Sequence, residues 1–487
     1  MSASSETPST LNVITYNCLG LKYISRFRKE RLAEIGRRLA IQSPVPEIVG
    51  LQECWTQEDY ESIREQTKHI LRYGKFYFSG IFGGGLAVLS KWPIEESHMF
   101  RYPLNGRPTA FFRGDWFVGK GVACARIRFG QRPGDVVEVF CTHLHAPYES
   151  EPNDSYVCHR TAQAWEIAKL MRGAAERGHL VLGLGDFNMV SFSLAHQLII
   201  AHAPVQDAWR VLHPDSSLGP ATSEIERRRG RDIPTAIYNL TENGAASDGV
   251  FNTWRWPKEQ QKRLFKGERI VIDSATPDPH AKRLDYIFVG NGVHTGASCG
   301  PKWHVHNIRV GMTERHPTIG CSLSDHFSIE ATLSRSLGPS NVTENEARTD
   351  RSGAGPNRSQ QDAVALDLAI YDIILSMIEK YARRERRQRR FRLANFGLSI
   401  IVAIGCFTAI WWSPRPFVSF LLILLSTLGF GAGVLDGLIG GLFIGSELRA
   451  LKEFEWEIRN AKDLAVAKAT ESNDQEVAIK DESSARS

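Results

Sequence analysis

Several apolar, strand-like runs in this chain end on polar side chains that could do chemistry together. Leu180–Leu184 is followed by Gly185-Asp186-Phe187-Asn188, so a carboxylate and a carboxamide stand where that run ends. Four further runs end on polar residues in the same way, at Asn17, Glu53, His143 and Asp325-His326. Oxygen ligands suit a hard divalent cation, and imidazoles suit proton transfer. We therefore predict one assembled active site for metal-assisted phosphoester cleavage.

Each of these residues also has an ordinary structural explanation. Asn17 would serve equally well to cap a turn, and one of His143 and His145 is expected to be a packed histidine. A functional role is favoured for Glu53, because a carboxylate buried after a strand is costly unless it is paired or metal-bound. The order of all these positions in one chain is what makes the prediction specific.

The elements that must position these residues lie between residues 11 and 334. Strand-like runs alternate with helical patterns, of which 27–40 and 155–177 are the clearest, and this alternation predicts an α/β sandwich. Residues 1–10 are rich in Ser and Thr and are predicted to be a disordered tail. The polar stretch 216–269 is expected to form excursions that carry substrate contacts.

The C-terminal third has a different composition. Residues 335–361 are poor in apolar side chains and predict a flexible linker, and 362–392 predict an amphipathic helix. That helix ends in an arginine run with seven Arg in the ten positions 383–392. Two apolar segments, 393–412 and 417–445, are long enough to cross a bilayer as a two-helix transmembrane hairpin, and 446–487 complete the chain as a C-terminal helix and tail.

A glycine stripe runs along the second apolar segment, at Gly429, Gly433, Gly437, Gly441 and Gly445. Such a stripe lets a neighbouring helix approach closely, so it predicts either packing within the hairpin or a helix–helix dimer. A buried hairpin of a soluble protein is the alternative, and so glycine-rich a helix would be poor in water.

Charge placement gives the expected orientation and compartment. Arginines and lysines flank both apolar segments on one side, which predicts that the large domain lies in the cytosol, on the endoplasmic reticulum or the mitochondrial outer membrane. The eight cysteines form no CxxC pair, in keeping with a reducing compartment. Residues 1–334 carry 39 Lys+Arg against 35 Asp+Glu, too small an excess to predict nucleic-acid binding.

Together the motifs resemble a known family. The set TYN, LQE, THLHA, GDFN, RLDYIF and SDHF is similar to the endonuclease/exonuclease/phosphatase superfamily, which implies a DNase I-like four-layered α/β sandwich over 11–334. THLHA, together with the P-loop-like segment 114–121 that contains Asp115 and Lys120, resembles the branch of neutral sphingomyelinases and inositol phosphosphingolipid phospholipases C. The P-loop-like segment lacks the Ser/Thr of a nucleotide-binding loop, so Lys120 is expected to meet a lipid phosphate or to pair with Asp115.

The resemblance also implies roles. Glu53 would hold Mg²⁺ with Asn17 beside it, and His326 would take a proton from the attacking water, oriented by Asp325 or Asp186. Asn17, Asn188 and His143 would stabilise the phosphate oxygens as charge builds. Asp285 would support His143 or the phosphate from behind.

The resemblance implies a membrane-anchored, Mg²⁺-dependent phospholipase C that hydrolyses inositol phosphosphingolipids, or sphingomyelin, to ceramide and a phosphorylated headgroup. Anionic phospholipids such as phosphatidylserine or cardiolipin are expected activators, because each basic residue near an anionic surface contributes about 1 kcal/mol. The alternatives are a membrane-tethered nuclease or inositol-polyphosphate phosphatase of the same fold, and a non-catalytic tether.

Overall fold

A computed structural model describes residues 7–149, 153–293, 302–336 and 367–484. The chain forms two compact units, each described by itself below. The first consists of residues 1–105, 117–156 and 163–364, and the second of residues 106–116, 157–162 and 365–487. Most of the tail predicted at 1–10 and nearly all of the linker predicted at 335–361 lie outside the described residues.

The first unit contains two six-stranded sheets. In chain order the strands are β1 (Thr10–Asn17), β2 (Ile48–Gln52), β3 (Tyr73–Tyr77), β4 (Leu86–Ser90), β5 (Ile94–Arg101), β6 (Gly121–Arg128), β7 (Val136–His143), β8 (Leu180–Asp186), β9 (Gln206–Asp207), β10 (Asp285–Gly290), β11 (Lys302–Gly311) and β12 (Ser328–Ser336). The first sheet has the order β11-β12-β1-β2-β4-β3 and the second the order β5-β6-β7-β8-β10-β9.

Each sheet has one parallel pair, β1 with β2 and β7 with β8, among antiparallel neighbours. Parallel strands end at the same edge, so Asn17 lies opposite Gln52, and His143 lies opposite Asp186. Strand β10 runs antiparallel to β8 and starts at this same edge, with Asp285 opposite Asp186. The topology therefore brings the polar strand ends of each sheet to one edge of that sheet.

The helices are named next, in chain order. They are α1 (Arg28–Ala40), α2 (Gln57–Thr67), α3 (Asp115–Val118), α4 (Val157–Glu176), α5 (Leu194–His202), α6 (Ala208–Leu212), α7 (Glu224–Arg229), α8 (Ala236–Thr241), α9 (Lys258–Phe265), α10 (Leu368–Ile410), α11 (Pro416–Leu438) and α12 (Ile444–Ser484). Within 216–269, where sequence predicts excursions, the chain forms the short helices α7, α8 and α9.

The first unit has four layers. The apolar faces of the two sheets pack on one another, so that Val13 and Val88 share a core with Val139 and Leu182. Helices α1 and α2 cover the outer face of the first sheet. The C-terminal part of α4, together with α5, covers the outer face of the second. The predicted DNase I-like α/β sandwich is confirmed.

Within the second unit, α10 is one continuous helix of 43 residues. It joins the segments 362–392 and 393–412, which the sequence analysis treated as separate, because the arginine run has no helix breaker. A turn at residues 411–415 leads into α11, which continues through a π-helical turn, Ile439–Phe443, into α12.

The glycine stripe has two kinds of member. Gly433 and Gly437 face α10, since an added Cβ would lie 1.9 Å from Ser399 Oγ and 3.0 Å from the Phe396 ring. An added Cβ at Gly441 would lie 4.0 Å from Leu393, whereas at Gly429 and Gly445 it would meet nothing within 4 Å among the described residues. Part of the stripe thus serves packing within the hairpin, and dimerisation remains a prediction.

Asp436 also faces α10. Its carboxylate accepts a hydrogen bond from Asn395 Nδ2 at 2.6 Å and pairs with Arg392. The charge inside the second apolar segment is therefore matched by the last arginine of the run on α10.

Candidate active site

Polar side chains from both sheets meet at the edge where their parallel strands end. Asn17 at the end of β1 donates from Nδ2 to Glu53 Oε1 and to Asp186 Oδ2, both at 3.1 Å. Glu53 follows β2 in the first sheet, and Asp186 ends β8 in the second. One carboxamide thus joins the carboxylates of the two sheets.

Asp186 is the centre of this cluster. Its Oδ2 lies 3.6 Å from His143 Nε2 and 3.7 Å from His326 Nε2, and it also accepts the bond from Asn17. Burial raises the pKa of Asp186 to about 6, although the nearby His326 works against that rise. Two imidazoles therefore converge on one carboxylate oxygen at the sheet edge.

His326 is held from behind by two groups. Its Nδ1 lies 2.7 Å from Asp285 Oδ2 and 2.8 Å from Ser247 Oγ. Burial lowers the pKa of His326, but the charges of Asp285 and Asp186 outweigh burial and place it well above its usual value. A carboxylate that binds Nδ1 leaves Nε2 facing the site.

This contact corrects the sequence analysis. There Asp325 or Asp186 was expected to orient His326, and Asp285 to support His143 or the phosphate. The carboxylate that accepts the hydrogen bond of His326 Nδ1 is instead Asp285, because β10 begins next to the end of β8. Asp325 adds its charge to the surroundings of His326, whereas Asp285, the first residue of β10 in the second sheet, is the residue hydrogen-bonded to the ring.

His143 sits in a different environment from His326. Burial, followed by the charges of Lys120 and His326, lowers its pKa well below the usual value. The Nζ of Lys120 donates to the carbonyl oxygens of His143 and Leu144, each at 3.3 Å. Lys120 is therefore buried behind the peptide that carries His143, and not displayed on a surface loop.

Asn188 is fixed by the turn that follows β8. Its backbone N–H donates to Asp186 Oδ1 at 2.9 Å, and its Nδ2 donates to Leu144 O at 3.2 Å. The preceding Gly185 has φ +153, and an added Cβ would lie 2.0 Å from Thr142 O. Only glycine fits there, which is how β8 can deliver Asp186 so close to β7.

Glu53 has the features of a cation ligand. Its Oε2 is buried, and among the described residues no donor reaches it. Burial raises the pKa of Glu53, and the charge of Asp325 raises it further. An acceptor in such surroundings fits a divalent cation, which would replace the missing donor. Asn17 Oδ1 accepts from Leu19 N–H at 3.0 Å and keeps a second lone pair for the same ion.

A second group of potential metal ligands is formed by Asp186, Asp285 and His326. Single ligand atoms of Asp186, Asp285 and His326 all fall within 4.8 Å of one another. Two of these, Asp285 and His326, already satisfy each other by a hydrogen bond. Glu53 Oε2 and Asp285 Oδ1 both lack a hydrogen-bond partner among the described residues. We place the greater weight on Glu53, because its other oxygen is bonded by the neutral amide of Asn17, whereas Asp285 already binds the His326 ring.

The remaining residues considered from the sequence are Asp325, Asp115 and His145. Asp325 directly precedes His326 and is 3.4 Å from Ser324 Oγ. Asp115 is the first residue of α3 and belongs to the second unit. His145, the rival of His143, is buried and stacks on Tyr156 with ring centroids 3.8 Å apart, as expected of a packed histidine.

Sequence reasoning missed Ser247. It is fully buried, and its backbone bridges to both Lys282 and His326. It lies in the run Gly244-Ala245-Ala246-Ser247-Asp248-Gly249, which contains no spacing signal, so the sequence offered no means of finding it.

Comparison with known proteins identifies the class to which this fold and site belong. Residues 14–326 match the model of the Endonuclease/Exonuclease/phosphatase family. This range contains Asn17 at the end of β1, Glu53 and every strand-end residue described above through His326. The chain belongs to that family.

Individual members of the family show which of its proteins this chain is similar to over most of its length. The chain is 36% identical over 461 residues to an inositol phosphosphingolipids phospholipase C of Schizosaccharomyces pombe, covering 94% of this chain and 96% of the relative. It is 31% identical over 475 residues to the protein of that name in Saccharomyces cerevisiae, covering 93% and 90%. The chain is an enzyme, a phosphoric diester hydrolase of the phospholipase C type.

One solved structure aligns with this chain at low sequence identity. The sphingomyelinase C of Streptomyces griseocarneus aligns at 19% identity and a TM-score of 0.41, covering 67% of this chain and 99% of that one.

Proposed function

We propose that this chain is a membrane-anchored, Mg²⁺-dependent phospholipase C that hydrolyses inositol phosphosphingolipids to ceramide and a phosphorylated headgroup, and that it accepts sphingomyelin less readily. The convergence of His143, His326 and Asn17 on Asp186, beside a Glu53 oxygen that has no hydrogen-bond partner in the described part of the chain, carries this proposal. Relatives that match more than nine-tenths of the chain carry the corresponding name.

Within the site, each residue has a part. Glu53 and Asn17 would hold Mg²⁺, which when bound offsets the charge of the phosphate. His326, held by Asp285, would accept the proton of the attacking water at Nε2. This step requires the neutral imidazole, whereas the raised pKa of His326 favours the imidazolium, so turnover should rise with pH. Asn188 and His143 donate hydrogen bonds to phosphate oxygens as negative charge builds on them.

The test is headgroup release from mixed micelles that contain phosphatidylserine. Inositol phosphoceramide and sphingomyelin are offered separately, with Mg²⁺ or with EDTA. We expect Mg²⁺-dependent release that falls by about 10²–10⁴ in His326→Ala. The matched control, His306→Ala, removes an exposed histidine of β11 and should keep full activity.

Loss of activity in the control as well would point to a folding defect. No release from either lipid by folded wild type would contradict the proposal. In that case DNA and inositol polyphosphates, the substrates of the alternative functions, would be assayed with the same variants.

Membrane anchoring is the second part of the proposal. Two helices, Leu368–Ile410 and Pro416–Thr470, contain windows long and apolar enough to cross a membrane. Only 11% of the most apolar stretch of each helix is buried. In a soluble protein the apolar side chains of these helices would face water, which is unfavourable, whereas in a bilayer they would face lipid. With basic residues on both flanks, the hairpin would place the large domain in the cytosol, on the endoplasmic reticulum or the mitochondrial outer membrane.

Anionic phospholipids are proposed as activators. A cavity of about 540 Å³ in the second unit lies where the arginine run of α10 meets the start of α12. Four basic residues line it, Arg386, Arg389, Arg449 and Lys452, with Glu455 as the acidic member. Such a cluster suits the phosphate of phosphatidylserine or cardiolipin.

The test compares two sets of substitutions with equal charge loss. Replacing the four basic residues of the cavity by Gln should abolish stimulation by phosphatidylserine. Replacing the exposed Arg383, Arg387, Arg390 and Arg459 by Gln should preserve most of it. Equal losses in both sets would mean that the charges attract lipid diffusely and that the cavity has no special part.

A further inference from the structure

Two short loops of the first unit carry large apolar side chains into solvent. The first follows β1 and exposes Tyr23 at 91% and Ile24 at 78%. The second connects β3 to β4 and exposes Ile81 at 78% and Phe82 at 61%. We call these two segments, residues 19–26 and 78–85, the rim loops. Single exposed apolar residues are ordinary, but two adjacent pairs at the tips of two loops indicate a contact surface.

Both rim loops are attached to the residue proposed to hold the cation. Gly20 N–H donates to Glu53 O at 3.0 Å, and an added Cβ on Gly20 would lie 2.3 Å from that oxygen. From the other side, Cys54 N–H donates to Gly85 O at 3.0 Å. The bases of the loops therefore flank Glu53, and their apolar tips stand at the edge of the sheet where the active site lies.

The first rim loop is held in shape. Arg31 of α1 donates to the carbonyl oxygens of Leu19 at 2.7 Å and of Arg26 at 3.0 Å, which clamps both ends of the loop. Ser25 N–H donates to Leu21 O at 3.0 Å, closing a turn that presents Tyr23 and Ile24 outward. A fixed turn keeps its apolar side chains in water instead of folding them inward.

The second rim loop is fixed in the same manner. Phe82 N–H donates to Phe117 O at 3.3 Å, and Gly83 N–H donates to Gly80 O at 3.1 Å. Ser79 Oγ donates to Gly119 O as well. The backbone is thus satisfied, while the side chains of Ile81 and Phe82 remain uncovered by the described residues.

We infer that the rim loops insert their tips into the lipid bilayer and so set the depth at which the active site meets its substrate. This inference rests on the proposed function. A sphingolipid keeps its two hydrocarbon chains in the bilayer while its phosphate must reach a site whose residues are buried. Apolar tips beside Glu53 bring the site to the level of the headgroups.

The chemistry of the tips favours a bilayer over a protein partner. Tyrosine is enriched at membrane–water interfaces, and isoleucine and phenylalanine partition into the hydrocarbon. Lys22 lies over the ring of Tyr23 at 5.6 Å, so an ammonium group stands next to the apolar tip, where lipid phosphates would meet it. The chain also carries its own apolar hairpin, which would keep a bilayer within reach.

The test uses the full chain in lipid nanodiscs, with a fluorescent label at one introduced cysteine. The positions are Ile24→Cys and Phe82→Cys, and the matched control is Ile41→Cys, which is 64% exposed. Ile41 follows the end of α1 and precedes β2, so it lies at the opposite edge of the sheet from Glu53. The described native cysteines are buried and should label slowly.

Quenching by spin-labelled lipids is expected to be several-fold stronger at positions 24 and 82 than at 41. Equal quenching at all three positions would overturn the inference. Because quenching requires no turnover, it is independent of the proposed function. A protein that is quenched but inactive would contradict only the proposed function. A protein that is active but not quenched would contradict only the insertion of the rim loops.

A kinetic experiment gives a second, independent result. The double variant Tyr23→Ser/Ile24→Ser should release headgroup from bilayers about tenfold more slowly, mainly through a higher apparent KM for lipid surface. The control Ile41→Ser/Val45→Ser, which also removes two exposed apolar side chains, should match wild type. Identical rates for both variants on bilayers would contradict insertion, and unchanged melting curves would exclude misfolding.

Discussion

Two buried histidine–carboxylate pairs, one in each unit, shift the pKa of their histidine in opposite directions. In the first unit His326 pairs with Asp285 at 2.7 Å, and the pKa of His326 is raised. In the second unit His159 Nε2 lies 3.0 Å from Glu447 Oε1, yet burial and then the charge of Arg107 lower the pKa of His159 to about 3. Burial raises the pKa of Glu447 to about 7. Similar partners thus raise the pKa of one histidine and lower that of the other.

The neighbours explain the difference. Around His326 stand Asp285, Asp186 and Asp325, all of which favour the imidazolium. Around His159 and Glu447 stand the guanidinium groups of Arg107 and Arg384, together with the Tyr381 hydroxyl, which donates to Glu447 Oε1. A histidine–carboxylate contact does not by itself define a charge state; the surrounding charges do.

The largest effect on turnover should follow from changing the His326–Asp285 pair. Asp285→Asn keeps the shape of the side chain but removes the charge that supports His326, so kcat/KM should fall by about 10²–10⁴. Headgroup release measures this loss. The control Asp278→Asn replaces another buried carboxylate, whose pKa burial raises, and should leave kcat/KM nearly unchanged. Equal activity in the two variants would show that the contact between Asp285 and His326 has no part in turnover.

A smaller effect should come from the second group behind His326. Ser247→Ala removes the hydroxyl 2.8 Å from Nδ1 and leaves the ring held by Asp285 alone. One hydrogen bond contributes about 1 kcal/mol, so kcat should fall about fivefold while KM for the lipid stays constant. A purely structural role would instead lower the melting temperature without changing kcat per folded molecule.

The raised pKa values of the buried carboxyls in the second unit should make the stability of the protein depend on pH. Burial raises the pKa of both Glu447 and Glu385 to about 7, above the unfolded value of about 4.3. Folding then favours the protonated carboxyls, so this stability is complete below the unfolded pKa and is lost as the pH rises through about 7. Between pH 5 and 7.5 the melting temperature of wild type should fall by roughly 5 °C relative to Glu385→Gln/Glu447→Gln.

That comparison cancels the other titrating groups, because they are common to both proteins. Parallel curves for wild type and variant would mean that both glutamates are already ionised at pH 5, and the contrast between the two pairs would disappear.

The smallest effect on turnover is expected from a substitution in the second unit. Glu447→Gln resembles the protonated carboxyl and keeps an acceptor for the Tyr381 hydroxyl, so headgroup release at pH 6.5 should stay within about twofold of wild type. A large loss of headgroup release would indicate that Glu447 is ionised and that its charge is needed for turnover. The two histidine–carboxylate pairs would then resemble each other.

The sequence predicted the fold and the set of strand-end residues because each leaves a local signal. An apolar run that stops at Asp186 or Glu53 is visible in a few consecutive letters. Sequence offered Asp325 or Asp186 as the residue that orients His326, and Asp186 does lie 3.7 Å from its Nε2. The partner of Nδ1 is Asp285, which is brought beside Asp186 only through the pairing of β10 with β8. Ser247 and the cluster of His159 with Glu447 depend on contacts between distant segments, and no spacing rule exposes them.

The unbroken α10 has a mechanical consequence. Its charged half, Leu368–Arg392, extends about 37 Å beyond the apolar half at 1.5 Å per residue. In a stiff rod of this length, a 10° change in the tilt of the apolar half moves the far end by roughly 6 Å. If the hairpin spans a bilayer as proposed, a change in bilayer thickness that alters the tilt of the apolar half would therefore displace the start of α10.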